Sequence, residues 1–130
     1  MTWAAHYADG AGRRVWPNTE LAAFVAGRSF TRVLEAGVGA GGNCRLWGEE
    51  AYVVGLDGYL PILPDARRFI TRGAVVGGDV RQLPFADGSF DLVIDCLTSQ
   101  HLPWADHLLL YGEYRRVLEL GGWLWLMHLD

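Results

Sequence analysis

Four glycines and a set of acids hold the spacing in this chain that could do chemistry. Gly37, Gly39, Gly41 and Gly42 fall within six positions, directly after Val33-Leu34-Glu35-Ala36. Glycines have no Cβ, so such a loop can take positive φ and let a ligand lie against its backbone. A strand that breaks into this loop and enters a helix offers N–H groups and a helix dipole to a nucleotide. Asp57 stands twenty residues after Gly37, at the end of a second apolar run. A carboxylate there can accept hydrogen bonds from both hydroxyls of a ribose. Because Gly58 follows, a turn-forming role for Asp57 is open as well. Asp79 follows a third apolar run, and His101 follows a fourth. The imidazole of His101 is the one candidate acid or base, with capping or packing before Pro103 as its plainer role.

The loop alone leaves a choice. Gly37, Gly39 and Gly42 satisfy G-x-G-x-x-G, with Asp57 as the downstream acid, which is the dinucleotide-binding fingerprint. A tight strand-to-helix turn without a ligand is the plain alternative.

The elements that must position these groups can be read from pattern. Asn18 and Glu20 start a helix whose Leu21, Phe24 and Val25 share one face, and Gly27 stops it. Residues 32–36 form the first strand. A short helix from Asn43 to about Gly48 follows, then a second strand over 52–56 ending at Asp57. Pro61 and Pro64 open a helix that runs to Thr71. Residues 74–76 and 90–95 give the third and fourth strands. Pro103 opens a helix with Leu110, Tyr114, Val117 and Leu118 on one face. Gly121-Gly122 ends it, and 123–129 is a fifth strand. Strands alternating with helices imply parallel pairing through right-handed crossovers.

Composition narrows the class. The 130 residues suffice for one core and not for two. No apolar run approaches the roughly 20 residues of a membrane span, and the N-terminus lacks the pattern of a signal peptide. The net charge of −4, with eleven scattered basic residues, argues against nucleic acid. Cys44 and Cys96 have no metal-ligand spacing and read as small buried thiols in a reducing cytoplasm. His6, His107 and His128 have no partners in sequence and read as structural, so no metal site is expected. Tyr7 and Trp16 could close over a ligand, with core or lid packing the better reading.

Longer segments carry a family resemblance. Glu35, Gly37, Gly39 and Gly41 resemble motif I (acid-x-Gly-x-Gly-x-Gly) of class I S-adenosylmethionine-dependent methyltransferases. The run from Gly78-Asp79-Val80 through Leu83-Pro84-Phe85 to Asp87-Gly88-Ser89-Phe90-Asp91 is similar to that family's link between its adenine-binding acid and strand four. The run from Glu113 to Gly122 looks like the helix before strand five, so the resemblance spans about 30–129. It favours a methyltransferase over a dehydrogenase.

The resemblance implies S-adenosyl-L-methionine as cofactor. Glu35 would sit near the methionine end, directly or through water, or would order the glycine loop by accepting its N–H groups. Gly37, Gly39 and Gly41 would form the loop under the cofactor, and Asp57 with Gly58 would take the ribose. Asp79 would accept from the adenine amino group, with the Val80 N–H near the ring. Asp95 and Leu97 would lie against the methionine moiety. The run Asp95-Cys96-Leu97-Thr98 is not the Asn/Asp-Pro-Pro-aromatic sequence of DNA amino-methyltransferases, which disfavours that subclass.

The implied fold is α/β: a doubly wound, all-parallel sheet in Rossmann-like order 3-2-1-4-5, lacking the family's last two strands. Residues 1–130 form one domain, with 1–30 an N-terminal helical or lid segment and 31–130 the core. The expected function is methyl transfer to a small-molecule acceptor with His101 as base. A non-catalytic cofactor-binding module and an NAD-binding domain are the alternatives. The strand at 123–129 is apolar on both faces, as a strand buried between helix layers would be. As an edge strand it would be a template for pairing. A homodimer, or a partner chain, is therefore expected along it.

Overall fold

The computed structural model describes residues 3–8 and 13–129. Residues 1, 2 and 9–12 of the expected N-terminal lid segment, and Asp130, lie outside the described residues. The elements run α1 (Trp3–Ala8), α2 (Thr19–Val25), β1 (Arg32–Ala36), β2 (Tyr52–Asp57), α3 (Leu63–Arg67), β3 (Gly73–Gly77), β4 (Phe90–Cys96), α4 (His107–Val117) and β5 (Leu118–Met127). All five strands pair in parallel in the order β3-β2-β1-β4-β5. This is the expected doubly wound α/β sheet.

Strand alternation divides the core. Val33, Val53, Leu92 and Ile94 face one layer with Leu21 of α2 and Ala66 of α3. Leu34, Ala36, Val54, Leu56 and Val93 face the other, packed on Leu110, Tyr114 and Val117 of α4. Residues one apart on a strand point to opposite faces. Glu35 therefore shares the α2/α3 face with Val33, and Asp95 shares the α4 face with Val93.

Several elements differ from their expected extents. The helix expected from Pro61 to Thr71 is a 3₁₀ turn over Leu60–Ile62 followed by the five residues of α3. Two prolines remove N–H donors from this stretch, and beyond Arg67 the chain continues in i→i+3 turns, Phe69 N–H to Ala66 O and Ile70 N–H to Arg67 O. A 3₁₀ turn over Gly42–Leu46 replaces the short helix after the loop. Pro103 precedes another at Trp104–Asp106, so α4 starts only at His107.

At the C-terminal end, Gly121-Gly122 does not stop the helix. The helix α4 ends at Val117, and Leu118 already pairs with Phe90. The register then slips before Trp123 pairs with Leu92, and Gly121 takes φ 80° inside the irregular stretch. The glycines serve a bulge in β5, whose extra residues leave the ladder and rejoin it. The faces of β5 are only partly covered. Trp125 packs on the α2/α3 layer, whereas Trp123, Leu124 and Leu126 keep 51%, 38% and 42% of their surface open. Among the described residues no helix is long and apolar enough to cross a membrane.

Candidate active site

The C-terminal ends of β1, β2 and β4 border one cavity of about 590 Å³, a volume in the range of small-ligand pockets. Glu35, Gly37, Gly39, Asp57, Gly58, Asp79, Val80, Leu97 and His101 all line it. Opposite them α1 supplies Trp3, His6 and Tyr7.

The glycine loop is held from both sides. Gly37 N–H and Val38 N–H both donate to Leu56 O, at 2.8 and 2.9 Å. Gly37 takes φ 81°, and a Cβ there would stand 2.1 Å from Thr98 Oγ1, which itself donates to Ala36 O at 2.7 Å. Glycine is required at this position by the Thr98 side chain as well as by the turn. Gly41 has a different task. It takes φ 86°, and a Cβ would meet the Ala66 Cα at 2.6 Å. Gly41 thus lets the loop pack on α3 and is not on the cavity wall, which departs from its expected place under a cofactor.

Asp57 is buried, and both of its oxygens are engaged. Oδ2 accepts from Gly39 N–H at 2.9 Å and from the Tyr7 hydroxyl at 3.4 Å. Oδ1 accepts from Tyr59 N–H at 2.9 Å. The turn-forming role of Asp57 is therefore present alongside its position on the cavity wall. Tyr7 stacks on Tyr59, with centroids 5.2 Å apart. Burial and the facing Asp57 push the Tyr7 hydroxyl well above the ordinary tyrosine range.

Glu35 lies on the wall, 4% exposed. Its Oε2 accepts from Asn43 Nδ2 at 2.8 Å, while Oε1 is buried without a partner among the described residues. No loop N–H reaches this carboxylate, so it does not order the loop by accepting backbone bonds. Burial pushes its carboxyl up to about 8, against the Asn43 bond, with Asp57 and Asp95 adding to the rise.

Asp79 is exposed at the far end of the cavity, in the grip of Arg81. The guanidinium donates to Oδ1 at 3.0 Å and to Oδ2 at 2.8 Å, and the Arg81 N–H to Oδ1 at 2.9 Å. These bonds hold the Asp79 carboxyl below the usual carboxylate range. Arg81 also reaches Asp106 at 3.1 Å.

Asp95 is not on the wall. It is fully buried on the α4 face, where Tyr114 donates to Oδ2 at 2.9 Å and the N–H groups of Thr98 and Ser99 donate to Oδ1 at 2.9 and 3.1 Å. Strand alternation aims its side chain away from the Glu35 face, so the carboxylate builds the turn after β4. Leu97, in that turn, takes φ 68° and lies on the wall. A left-handed leucine is an outlier, held here by its N–H bond to Met127 O at 3.0 Å.

His101 stands edge-on to Trp3, with centroids 5.3 Å apart, and 6.1 Å from the ring of His6. Burial, with His6 adding, holds His101 below the ordinary histidine range, which favours the neutral ring with a lone pair to offer. His107 and His128 sit elsewhere. His107 Nε2 lies 3.2 Å from Leu102 O, and His128 Nε2 lies 2.6 Å from Ser99 Oγ.

Sequence reading missed Trp3, His6, Arg14, Asn43, Arg81 and Thr98 as wall residues. The density of aromatics in residues 3–16 was the one signal that pointed to the α1 wall.

The methyltransferase-domain family matches residues 34–126, from β1 to the end of β5. This chain belongs to that family. The domain is 38% identical over 104 residues to a malonyl-[acyl-carrier protein] O-methyltransferase of Enterobacter lignolyticus, covering 78% of this chain and 40% of that protein. Its fold superposes on the PH0226 protein of Pyrococcus horikoshii with a TM-score of 0.75 at 22% identity, over 95% of this chain and 65% of that one. An S-adenosylmethionine-dependent methyltransferase of Mesorhizobium loti gives a TM-score of 0.61 at 27% identity, over 74% and 45% of the two chains. The domain is of the class I S-adenosylmethionine-dependent methyltransferase type, which sets aside the dinucleotide reading of Gly37-x-Gly39-x-x-Gly42. It spans 40% of the length of that Enterobacter lignolyticus protein and 47% of a second malonyl-[acyl-carrier protein] O-methyltransferase, of Erwinia billingiae, to which it is 33% identical over 121 residues.

Proposed function

We propose that this domain binds S-adenosyl-L-methionine and transfers its methyl group to a small-molecule acceptor. The observation that carries the reading is the convergence of three acids, Glu35 at β1, Asp57 at the end of β2 and Asp79 after β3, on one cavity beside the glycine loop. Each suits a different part of the cofactor. The buried, unpartnered Glu35 Oε1 fits a cationic amino-acid end. The Asp57 carboxylate, already fixed by Gly39 and Tyr59, fits ribose hydroxyls, and Asp79 with Val80 fits adenine. When bound, the cofactor supplies an electrophilic methyl on a sulfonium.

The residues of this chain then position and deprotonate. α1 and the turn carrying Leu97 wall off the cavity, and holding two reactants in line supplies much of the acceleration of a displacement. His101, neutral and on the wall, takes the proton of a hydroxyl or amine acceptor as the methyl bond forms. The free thiols Cys44 and Cys96 suit a reducing cytoplasm. Residues 1–130 are taken as one functional unit, with a second copy or a partner chain along the open side of β5.

The test is thermal unfolding with S-adenosylhomocysteine at a hundredfold excess over its Kd and, separately, with NAD at the same concentration. The first should stabilise by about 2.7 kcal/mol, and the second should leave the melting temperature unchanged. A response to NAD alone would overturn the reading. Turnover on an acceptor panel separates an enzyme from a non-catalytic binding module.

A further inference from the structure

Glu35 is held in an arrangement that does more than present a charge. Its Oε2 is fixed by Asn43 Nδ2, and the Asn43 amide is itself oriented, because Oδ1 accepts from Asn18 N–H at 2.8 Å. Asn18 is the cap of α2, its own side chain accepting from Glu20 N–H and Leu21 N–H. The amide therefore turns its NH₂ toward Glu35, and Oε1 is left buried without a partner on a residue that lines the cavity.

The groups around Glu35 do not neutralise it. Asp57 comes from β2 and Asp95 from β4, both of the same sign, and both raise the carboxyl. The Cys44 and Cys96 thiols and the Tyr7 hydroxyl are shifted toward their neutral forms, by burial first, and none supplies a positive charge. Arg14, His6 and His101 line the same cavity, but none bonds the carboxylate. An acid so placed stays protonated near neutral pH until a cation arrives. The value of about 8 agrees with that geometry.

We propose that Asn43 is a positioning residue that presents Glu35 to the ammonium end of the ligand, and that Glu35 releases a proton to solvent when the ligand binds. The proposal rests on the cofactor reading above. In the free protein Glu35 is a carboxylic acid. In the complex it is a carboxylate paired with the ammonium group, and the proton goes to buffer. Asn43 favours the ionised form by donating to it, so it sets the pH at which binding becomes strong.

Calorimetric titration of the 130-residue chain with S-adenosylhomocysteine, from pH 6 to 8 and in two buffers of different ionisation enthalpy, tests this. Affinity should rise with pH, approaching about tenfold per unit at the acid end, the limit for one linked proton. The buffer dependence of the heat should report release approaching one proton. The probe 5′-methylthioadenosine, which carries no ammonium group, should show neither effect. Glu35→Gln should abolish the pH dependence. Asn43→Ala should bind more weakly at pH 7, and its deficit should narrow as pH rises. A purely structural Asn43 would leave the same deficit at every pH and would overturn its positioning role. Equal affinity for S-adenosylhomocysteine at pH 6 and 8 with no buffer-dependent heat would overturn the proposal while the cofactor reading stands. The same holds if 5′-methylthioadenosine shows an equal pH dependence, since the proton would then come from another group. Absence of binding at every pH would overturn both.

Discussion

The Tyr7 hydroxyl reaches Asp57 Oδ2 at 3.4 Å across fifty positions of chain. That contact joins the α1 wall to the end of β2, and it shares an oxygen with the Gly39 N–H. Asp57 is thus part of the fold and of the candidate site at once.

Two effects of Asp57→Ala follow from this. Losing a charged acceptor should weaken S-adenosylhomocysteine binding by about 1.5–3 kcal/mol. The variant should also unfold at lower urea, because the Gly39 and Tyr59 N–H groups lose their acceptor, at about 1–3 kcal/mol for each that stays buried. Tyr7→Phe separates the two effects. It removes only the long bond and should cost less than about 1.5 kcal/mol of stability, with both quantities read by urea titration and calorimetry.

Gly37→Ala should destabilise the fold by about 2–4 kcal/mol, combining positive-φ strain with overpacking against Thr98. The double variant Gly37→Ala/Thr98→Ala should recover part of that loss, because the nearest clashing atoms belong to the Thr98 side chain. Equal stabilities of the single and double variants would show that the clash does not govern the position.

Much of this loop could be read in the sequence because strand period and glycine spacing are local. Residues 32–36 and 52–57 alternate between two buried faces, and that pattern survives in the sheet. The wall formed by α1 could be read only as an aromatic-rich helical or lid segment, since six residues of helix give no period that would place its side chains. The Asn43–Glu35 bond depends on where a 3₁₀ turn swings a side chain, which no spacing rule encodes. Asp95 was assigned by its place at a strand end, but the face it points to decides its partners. Gly121-Gly122 resembles a helix stop and is used as a bulge, because the pairing of Leu118 with Phe90 overrides the local preference.

His101 should act as a base only when neutral. Its pKa is held below the ordinary value of 6.5, so kcat/KM should rise with pH and reach half its plateau below pH 6.5. His101→Ala should lower kcat by about 10²–10⁴ with an acceptor that carries a proton, with little change in cofactor affinity. A pH–rate profile on such an acceptor checks both.

Asp79→Ala should weaken adenosine and S-adenosylhomocysteine to a similar degree, about 10–150-fold, the equivalent of one hydrogen bond to a charged group. Methionine should compete equally well against the parent and the variant. If adenosine bound both proteins equally, the adenine end would lie elsewhere.

Pairing along β5 should appear in light scattering at micromolar concentration as a mass above that of one chain. Leu124→Lys is the comparison to make, because Leu124 keeps 38% of its surface open, whereas Trp125 packs into the core. The variant should return the protein to a monomer without lowering its melting temperature. A monomeric parent would remove the pairing proposal.

The place of β1 at the centre of the sheet has a consequence during synthesis. Val33 lies between Val53 and Leu92, and the second partner is fifty-nine residues downstream. At about 5–20 residues per second, β1 leaves the ribosome about 3–12 s before Leu92 does. For that interval β1 presents an unpaired hydrophobic edge where β4 will later lie. Contacts this distant in sequence also slow folding, so the nascent chain is most open to aggregation, and to chaperone capture, before β4 arrives.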